Sequence, residues 1–331
     1  MVLRVKNFPM DRILNLISGD KDTLYFIGNG FDLFHKGVKS KFIHFYSWLN
    51  LKDEEHELFA SKMESIFPHS GAHGNWLWTQ FEEALGKFNI DQVHTTFAGK
   101  EKDGFFDEDY QQRAAEYVHE PFSKISLYLK EWAQQINIES VKPILPLGKE
   151  SQYLTFNYTL LLENVYKIPQ KQIWHVHNCI RDNEPLIAGH NQPFPKYFDE
   201  IENINIQKSQ ENLAHEITKL TKPVDDIINE HKEYFDTLEH ITKVIVFGHS
   251  LSKIDLPYLR NVVYNVRDNA QWVFTVYDSS AKKKYEELVR YFNNYFNDPK
   301  VLEVSQYKHK IIPQNCNYIS INELKNQIAY E

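Results

Sequence analysis

Short turns that follow apolar runs carry most of the residues in this chain that could do chemistry. The first run ends in "GNGFD", where Gly28 and Gly30 would let backbone N–H groups approach a phosphate closely. An ordinary tight turn explains this spacing at least as well, because no third glycine follows and residues 33–35 intervene where a helix should open. The second run ends in "TFNYT", where Asn157 could bond a ribose or a carboxamide, or begin an Asx turn.

Two further turns contribute histidines. In "WHVHNC", a strand continued to its end would place His175, His177 and Cys179 on one face, because side chains alternate along a strand. Imidazole and thiolate are the usual ligands of zinc, but no fourth ligand stands at a characteristic spacing, so we expect no metal. One histidine acting as a general base is better supported, since its ordinary pKa lies near neutrality. The turn "LIAGHN" adds Gly189 and His190.

The turn "FGHSLS" admits two interpretations. In one, Ser250 is a nucleophile on a strand-to-helix turn, with Asp278 and His309 following in the order of an α/β-hydrolase triad. However, Ser252 stands where such a turn has its last glycine, and the triad leaves "GNGFD" and "TFNYT" unexplained. In the other interpretation, the turn forms one wall of a nucleotide pocket.

Strands must position these turns. Short apolar runs closed by turn residues are predicted strands, and because several are apolar almost throughout, they suit a parallel sheet covered on both faces. Helical patterns follow at 40–50 and 282–296, so the alternation predicts an α/β fold with a doubly wound, mostly parallel sheet. Ligands bind at the carboxyl ends of the strands in such sheets. The predicted strands are 23–28, 151–157, 173–177, 243–248 and 272–278.

The span 51–142 is too long for a simple crossover and carries helical patterns. We therefore predict one α/β domain over 1–331, with a core of 20–50 and 143–331 and a helical insertion at 51–142. A second polar, helical stretch is predicted at about 196–242, before the fourth strand.

Composition narrows the class of protein. The chain has 331 residues, of which 42% are hydrophobic and 14% aromatic, so it can build a core and is not disordered. A net charge of −8 argues against non-specific nucleic-acid binding, because that field repels phosphate backbones. Two cysteines form no disulfide framework, and we find neither a secretory signal nor a membrane-length apolar run. We expect a cytoplasmic protein with no membrane partner.

Taken together, these motifs resemble the AbiH family of bacterial abortive-infection proteins. The N-terminal "IGNGFDLFH" block is its most specific part. The resemblance implies an anti-phage effector with an unidentified phage-derived trigger, and it leaves a homo-oligomer open. The segments that carry it span most of the chain: 25–45, 78–85, 155–166, 174–178, 186–191 and 246–259.

The AbiH pattern is in turn distantly similar to that of sirtuin-like NAD-binding and NAD-hydrolysing proteins. The resemblance implies that NAD, or a related nucleotide, is bound as a substrate and cleaved at the nicotinamide–ribose bond, without a metal. Asn157 would hold the ribose or the attacking water, and His177 would act as a base or contact a ribose hydroxyl. The amides of Gly28 and Gly30 would seat the diphosphate, and Ser250 would bond a phosphate or the adenosine ribose. The other residues that it implies in the pocket are Asn29, Phe31, Asp32, Thr155, Tyr158, Gly189, His190, Gly248, His249, Leu251 and Asp255.

The sequence also departs from the sirtuin pattern. Thr159 stands where sirtuins have the aspartate that contacts nicotinamide, and Asn178 replaces the glycine after the catalytic histidine. The paired-cysteine zinc module is absent, so deacetylation with a zinc lobe is not expected. Asp32 and Glu82 are candidate electrostatic partners, although Glu82 could equally be a solvated carboxylate on a helix. A serine hydrolase using Ser250 and a nucleotide sensor without turnover remain the alternatives.

Overall fold

The computed structural model describes residues 10–67, 76–90, 93, 108–192, 204–296 and 316–328. Contacts within the chain divide it into two compact units. The first comprises Met1–Val38, Asn137–Cys179 and Val224–Glu331. The second comprises Lys39–Ile136 and Ile180–Pro223.

The first unit contains a parallel sheet of six strands in the order β3-β2-β1-β4-β5-β6. Helices lie between the strands along the chain, so the predicted α/β fold with a parallel sheet is confirmed. The strand order reverses between β1 and β4, which are direct neighbours, with Thr23 opposite Lys243. The strands are β1 Thr23–Ile27, β2 Gln152–Thr155, β3 Ile173–His175, β4 Lys243–Phe247, β5 Gln271–Val276 and β6 Asn317–Ser320.

Burial explains why the central strands form. All five residues of β1 are buried, as expected for a strand covered on both faces. Tyr25 of β1 stacks on Tyr153 of β2, with ring centroids 4.8 Å apart. Their hydroxyls donate to the carbonyls of Ile17 and Gly148, so each buried polar tip has a partner.

The five predicted strands are present, and each ends one or two residues earlier than expected. The structure adds β6, which the sequence analysis missed because "NYIS" has no apolar run and only Ile319 in it is buried. The expectation that His177 and Cys179 continue the strand after His175 is wrong. The chain turns there: the Asn178 amide donates to the His175 carbonyl (3.2 Å), and Asn178 has φ 60°.

The turn after β1 also differs from expectation. A short helix, Asn29–Phe34, opens directly after Gly28, although the sequence analysis placed an interruption at residues 33–35. Winding the chain here buries Phe31 and Phe34 on one side, where both rings contact Phe247 at centroid distances of 5.4 and 5.5 Å. Core packing therefore determines this helix.

The other helices of the first unit cover the sheet. The predicted helix 282–296 is confirmed and begins slightly earlier, at Ser279. The helices are Met10–Ile17, Asn29–Phe34, Leu161–Asn164, Val224–Glu230, Lys232–Asp236, Leu256–Asn265, Ser279–Phe296 and Ile321–Ile328, with 3-10 turns at Gln170–Gln172 and Thr237–His240.

Helices are the main regular elements in the described ranges of the second unit, together with an isolated β-bridge between His190 and Thr221. Its core is aromatic: the Phe45 ring lies 5.4 Å from that of Trp132, and Trp78 stacks on Phe81 at 5.6 Å. The helices are Phe42–Lys52, Glu54–Ile66, Trp76–Thr79, Phe81–Leu85, Glu108–Gln134 and Ile204–Thr218. Within the described ranges of both units, no helix is long and apolar enough to cross a membrane.

Candidate functional site

The carboxyl edge of the sheet in the first unit gathers buried polar side chains from four strand ends. Parallel strands direct these ends toward the same edge, so residues far apart in sequence meet there. Buried polar groups have to be compensated by partners, and a cluster of them at a ligand-binding edge is a functional candidate. The residues are Asp32 after β1, Asn157 and Thr159 after β2, His177 after β3, and His249 and Asp255 after β4.

Asp32 is the centre of one group. Its side chain is buried, with Oδ1 accepting from Asn157 Nδ2 and Oδ2 from Thr159 Oγ1, both at 2.7 Å. Burial raises the pKa of Asp32 to about 6, although the two hydrogen bonds act in the opposite direction. The carboxyl can therefore exchange a proton near neutral pH.

The Asp32 carboxylate also determines how Asn157 is oriented. An ionised carboxylate only accepts hydrogen bonds, so the Asn157 amide nitrogen must face it and Oδ1 must face away. That Oδ1 is buried and has no hydrogen-bond partner among the residues that the structure describes. An unsatisfied buried acceptor costs about 1–3 kcal/mol, which a ligand hydroxyl would recover. The amide does not begin a helix, because the next one starts at Leu161.

His175 contacts the backbone carbonyl of Asn157, a role that was not predicted from the sequence. Its Nδ1 lies 2.9 Å from the Asn157 carbonyl oxygen and its Nε2 lies 3.1 Å from Glu163 Oε1. The carbonyl oxygen and the carboxylate both accept, and a neutral imidazole has only one N–H to donate. Both hydrogen bonds therefore form only when the ring carries a second proton or when a protonated Glu163 donates to Nε2. The twelve-residue separation of this pair left no signal in the sequence.

A second group lies around Asp255. Its Oδ1 is 3.8 Å from His177 Nε2, and its Oδ2 is 3.8 Å from His249 Nε2. Ser252 Oγ donates to Oδ2 at 2.9 Å, a contact that the Ser-x-x-Asp spacing could have suggested. Asp255 precedes the helix Leu256–Asn265, but its side chain does not cap that helix. The structure thus places one carboxylate between two predicted site histidines.

The glycines join the turns after β1 and β4. Gly30 N donates to Gly248 O at 2.7 Å, and Gly28 N donates to Phe247 O at 3.0 Å. A Cβ on Gly28 would lie 2.5 Å from His249 Cα, and one on Gly30 would lie 2.6 Å from Gly248 Cα. The backbones therefore approach more closely than any larger residue allows. Both amides donate to protein carbonyls. To bind a diphosphate, as predicted, they would have to give up these hydrogen bonds for bonds to the phosphate oxygens.

Ser250 is exposed, and its surroundings do not form a hydrolase turn. The residues with positive φ in this turn are Gly248 (62°) and Leu251 (48°), not Ser250, and the next helix begins only at Leu256. Asp278 instead accepts from Ser280 Oγ and Ala281 N, both at 2.8 Å, at the start of a helix. The third residue of the suggested triad, His309, lies outside the described residues.

Other predicted site residues in the first unit have structural contacts. Phe31 is part of the core, and Thr155 Oγ1 accepts from Asn157 N at 3.2 Å. Asn29 is exposed and Tyr158 is half-buried.

Gly189 and His190 belong to the second unit. Both ring nitrogens of His190 contact backbone: Nε2 lies 2.9 Å from Ile217 O, and Nδ1 accepts from Gln192 N at 3.1 Å. Burial lowers the pKa of His190, so the ring is neutral and held in place. Glu82, in the same unit, lies 2.7 Å from the fully buried ammonium of Lys222, so the alternative of a solvated carboxylate is wrong, and its role as an electrostatic partner in the site stays a prediction.

In the described parts of the chain, no three His, Cys, Asp or Glu side chains are grouped to hold an ion. His175, one of the three residues considered for zinc, contacts Glu163 and the Asn157 backbone instead.

Comparison with known proteins gives one family. The family model described as "Bacteriophage abortive infection AbiH" matches residues 24–276, well over half of the chain. The match includes all four strand ends described above. No curated protein and no solved structure matches the chain.

Proposed function

The chain belongs to the AbiH family of bacteriophage abortive-infection proteins, and we propose that it acts in this role by binding NAD and hydrolysing its nicotinamide–ribose bond. One observation carries the proposal: buried polar groups cluster where the strand order β3-β2-β1-β4-β5-β6 reverses. Doubly wound sheets of this order bind dinucleotides at that crevice.

The reaction has three requirements. The bond between C1′ of the ribose and the nicotinamide nitrogen breaks, and nicotinamide leaves with the electron pair. The ribose develops oxocarbenium character, water attacks C1′, and a proton leaves the water. A site must therefore hold the ribose, stabilise positive charge and accept a proton.

Asn157 and Asp32 meet the first two requirements. The buried Oδ1 of Asn157 accepts from a ribose hydroxyl or orients the water, and Asp32 supplies negative charge 2.7 Å from the Asn157 amide nitrogen. Thr159 donates to the same carboxylate, so Asp32 replaces the aspartate that sirtuins have at the position of Thr159.

His177 meets the third requirement by taking the proton from water. It is buried beside Phe156, with ring centroids 5.2 Å apart, which limits the access of bulk water. The exposed Ser250 hydroxyl bonds a phosphate, helped by the ammonium of Lys284, which donates to the Ser250 carbonyl at 2.6 Å. In this assignment Ser250 contributes to affinity and not to the chemical step.

The test is nicotinamide release from NAD by the full-length protein, measured with and without extract from phage-infected cells, because the trigger is unidentified. We expect His177→Ala to reduce turnover about 10²–10⁴-fold, as the loss of a general base does. Ser250→Ala should raise KM more than it lowers kcat. His240→Ala is the matched control, because His240 is half-buried away from the site and its ring nitrogens lie against the backbone carbonyls of Thr237 and Lys21.

Three outcomes contradict the proposal in different ways. NAD binding without consumption, even with the extract, would exclude the enzyme and leave a nucleotide sensor. Absence of NAD binding would exclude the nucleotide site itself. Covalent labelling of Ser250 by a fluorophosphonate, abolished in Ser250→Ala, would favour the serine hydrolase.

A further inference from the structure

Three buried side chains from separate turns meet at the carboxyl edge of the sheet. Asp255 lies between His177 and His249, with each carboxylate oxygen 3.8 Å from one imidazole Nε2. The side chains are 8%, 4% and 3% exposed, so water screens their charges weakly. A separation of 3.8 Å is too long for a hydrogen bond, but it is short enough for the carboxylate to attract either ring when that ring is protonated.

The protonation pattern of His249 follows from its backbone contact. The Leu251 amide donates to His249 Nδ1 at 2.8 Å, so that nitrogen must be an acceptor. In the neutral ring the proton is therefore on Nε2, which faces Asp255. Leu251 adopts φ 48° at this turn, a conformation uncommon for a non-glycine residue.

Ser252 distinguishes the two oxygens of Asp255. Its hydroxyl donates to Oδ2 at 2.9 Å, the oxygen that also faces His249. Oδ1 faces His177. The arrangement is thus asymmetric, with Ser252 and His249 orienting the carboxylate toward His177.

We propose that Asp255 is the positioning residue for His177: it holds the ring with Nε2–H toward Oδ1, so that Nδ1 is the basic nitrogen. The inference rests on the proposed function for the identity of the reaction, but the ring orientation can be measured independently. When water loses a proton to Nδ1, the ring becomes imidazolium, and the nearby carboxylate stabilises its charge. Asp255 itself stays ionised, as an orienting carboxylate does in a catalytic triad.

Two aromatic side chains also face His177, and neither can replace Asp255. The rings of Phe156 and Tyr258 lie 5.2 and 6.3 Å from the imidazole centroid. Phe156 has no charge, and a tyrosine is neutral at physiological pH. His249, across the carboxylate, would oppose a second positive charge. Among these neighbours Asp255 is therefore the negative group that acts on the imidazole.

The first experiment uses the wild-type full chain with ¹⁵N-labelled histidine. Long-range ¹H–¹⁵N spectra, assigned with His177→Gln and His249→Gln, report the tautomer of each neutral ring. We expect the proton of both rings on Nε2. A neutral His177 ring protonated on Nδ1 would overturn the inference, and this measurement requires neither turnover nor a variant of Asp255.

The second experiment titrates His177 in Asp255→Asn, which preserves the size of the side chain and removes its charge. We expect the pKa of His177 to fall by about 1 unit or more, because an opposite charge within 4–6 Å raises the pKa of a histidine. Asp278→Asn is the matched control, because it also removes one carboxylate charge, but from an exposed side chain that bonds to Ser280 and Ala281. The pKa of His177 should shift much less in this variant. An unchanged pKa in folded Asp255→Asn would overturn the inference.

Measurements of turnover distinguish a failure of this inference from a failure of the proposed function. Where the wild type releases nicotinamide, Asp255→Asn should lower kcat about 10²-fold or more with KM nearly unchanged, and the acid limb of the pH profile should move to lower pH. A variant with wild-type kcat would refute the positioning role. A wild type that never cleaves NAD would refute the proposed function, while the tautomer and the titration would still decide the role of Asp255.

Discussion

Replacing Asp32 with asparagine tests whether this carboxyl carries a buried charge at the centre of the site. Burial raises the pKa of Asp32 from an ordinary 3.8 to about 6 in the folded protein. The folded state therefore binds the proton more tightly than the unfolded state. The stabilising contribution of the protonated form is complete below pH about 4 and is lost as the pH rises through about 6.

The magnitude follows from the difference in pKa. A difference of roughly two units, at about 1.4 kcal/mol per unit, amounts to about 3 kcal/mol over the whole titration. About 2 kcal/mol of this falls between pH about 4.5 and 7.5. The amide introduced by Asp32→Asn cannot ionise in this range, so the free energy of unfolding of the wild type should fall by that amount relative to the variant.

The assay is urea unfolding of both proteins at matched pH values, since the difference between them cancels the titrations that they share. Asp278→Asn provides a control with the opposite sign. Hydrogen bonds from Ala281 N and Ser280 Oγ lower the pKa of the exposed Asp278 carboxyl. The wild type should therefore gain stability relative to Asp278→Asn as the pH rises through the acid range.

The test depends on whether the difference in free energy of unfolding between wild type and Asp32→Asn falls or rises with pH. If the difference between wild type and Asp32→Asn were flat, or rose with pH as expected for Asp278→Asn, the hydrogen bonds from Asn157 and Thr159 would outweigh burial. Asp32 would then be an ordinary ionised carboxylate, and its assignment as a group that exchanges protons near neutrality would be refuted.

Two other predictions concern stability. Gly248→Ala should destabilise the protein by more than about 2 kcal/mol, because φ is +62° and the new Cβ would clash with Phe31 N; Gly37→Ala, at φ +91° with no atom within 4 Å of the Cβ, should cost only about 1 kcal/mol. Equal losses of thermal stability in these two variants would refute the close approach of the turns. Glu82→Gln should destabilise by about 3 kcal/mol, since it removes the carboxylate 2.7 Å from the fully buried Lys222 ammonium. A change under about 0.5 kcal/mol, the range of ordinary surface substitutions, would indicate that Glu82 contributes nothing structural.

Several features were readable from the sequence because they depend on local patterns. An apolar run closed by turn residues is sufficient to predict a strand buried on both faces, and β1, with all five residues buried, satisfies this condition. The amphipathic pattern at 282–296 similarly predicted a helix. Motifs along the chain indicated the AbiH family, and the match over residues 24–276 agrees. The strand ends were identified as the place for polar residues because parallel sheets bind ligands there.

Other features were decided only by packing between distant parts of the chain. β6 lacks an apolar run and is present because it pairs with β5, and the helix after Gly28 winds to bury two phenylalanines. Asp32 and Asn157 are 125 residues apart, so neither the raised pKa nor the orientation of the amide could be derived from sequence. The same holds for Asp255, which lies near His177 only because β3 and β4 end at one edge. Local sequence determines which segments become strands and helices, whereas distances and burial depend on how those elements pack, and the chemistry of a buried polar group depends on both.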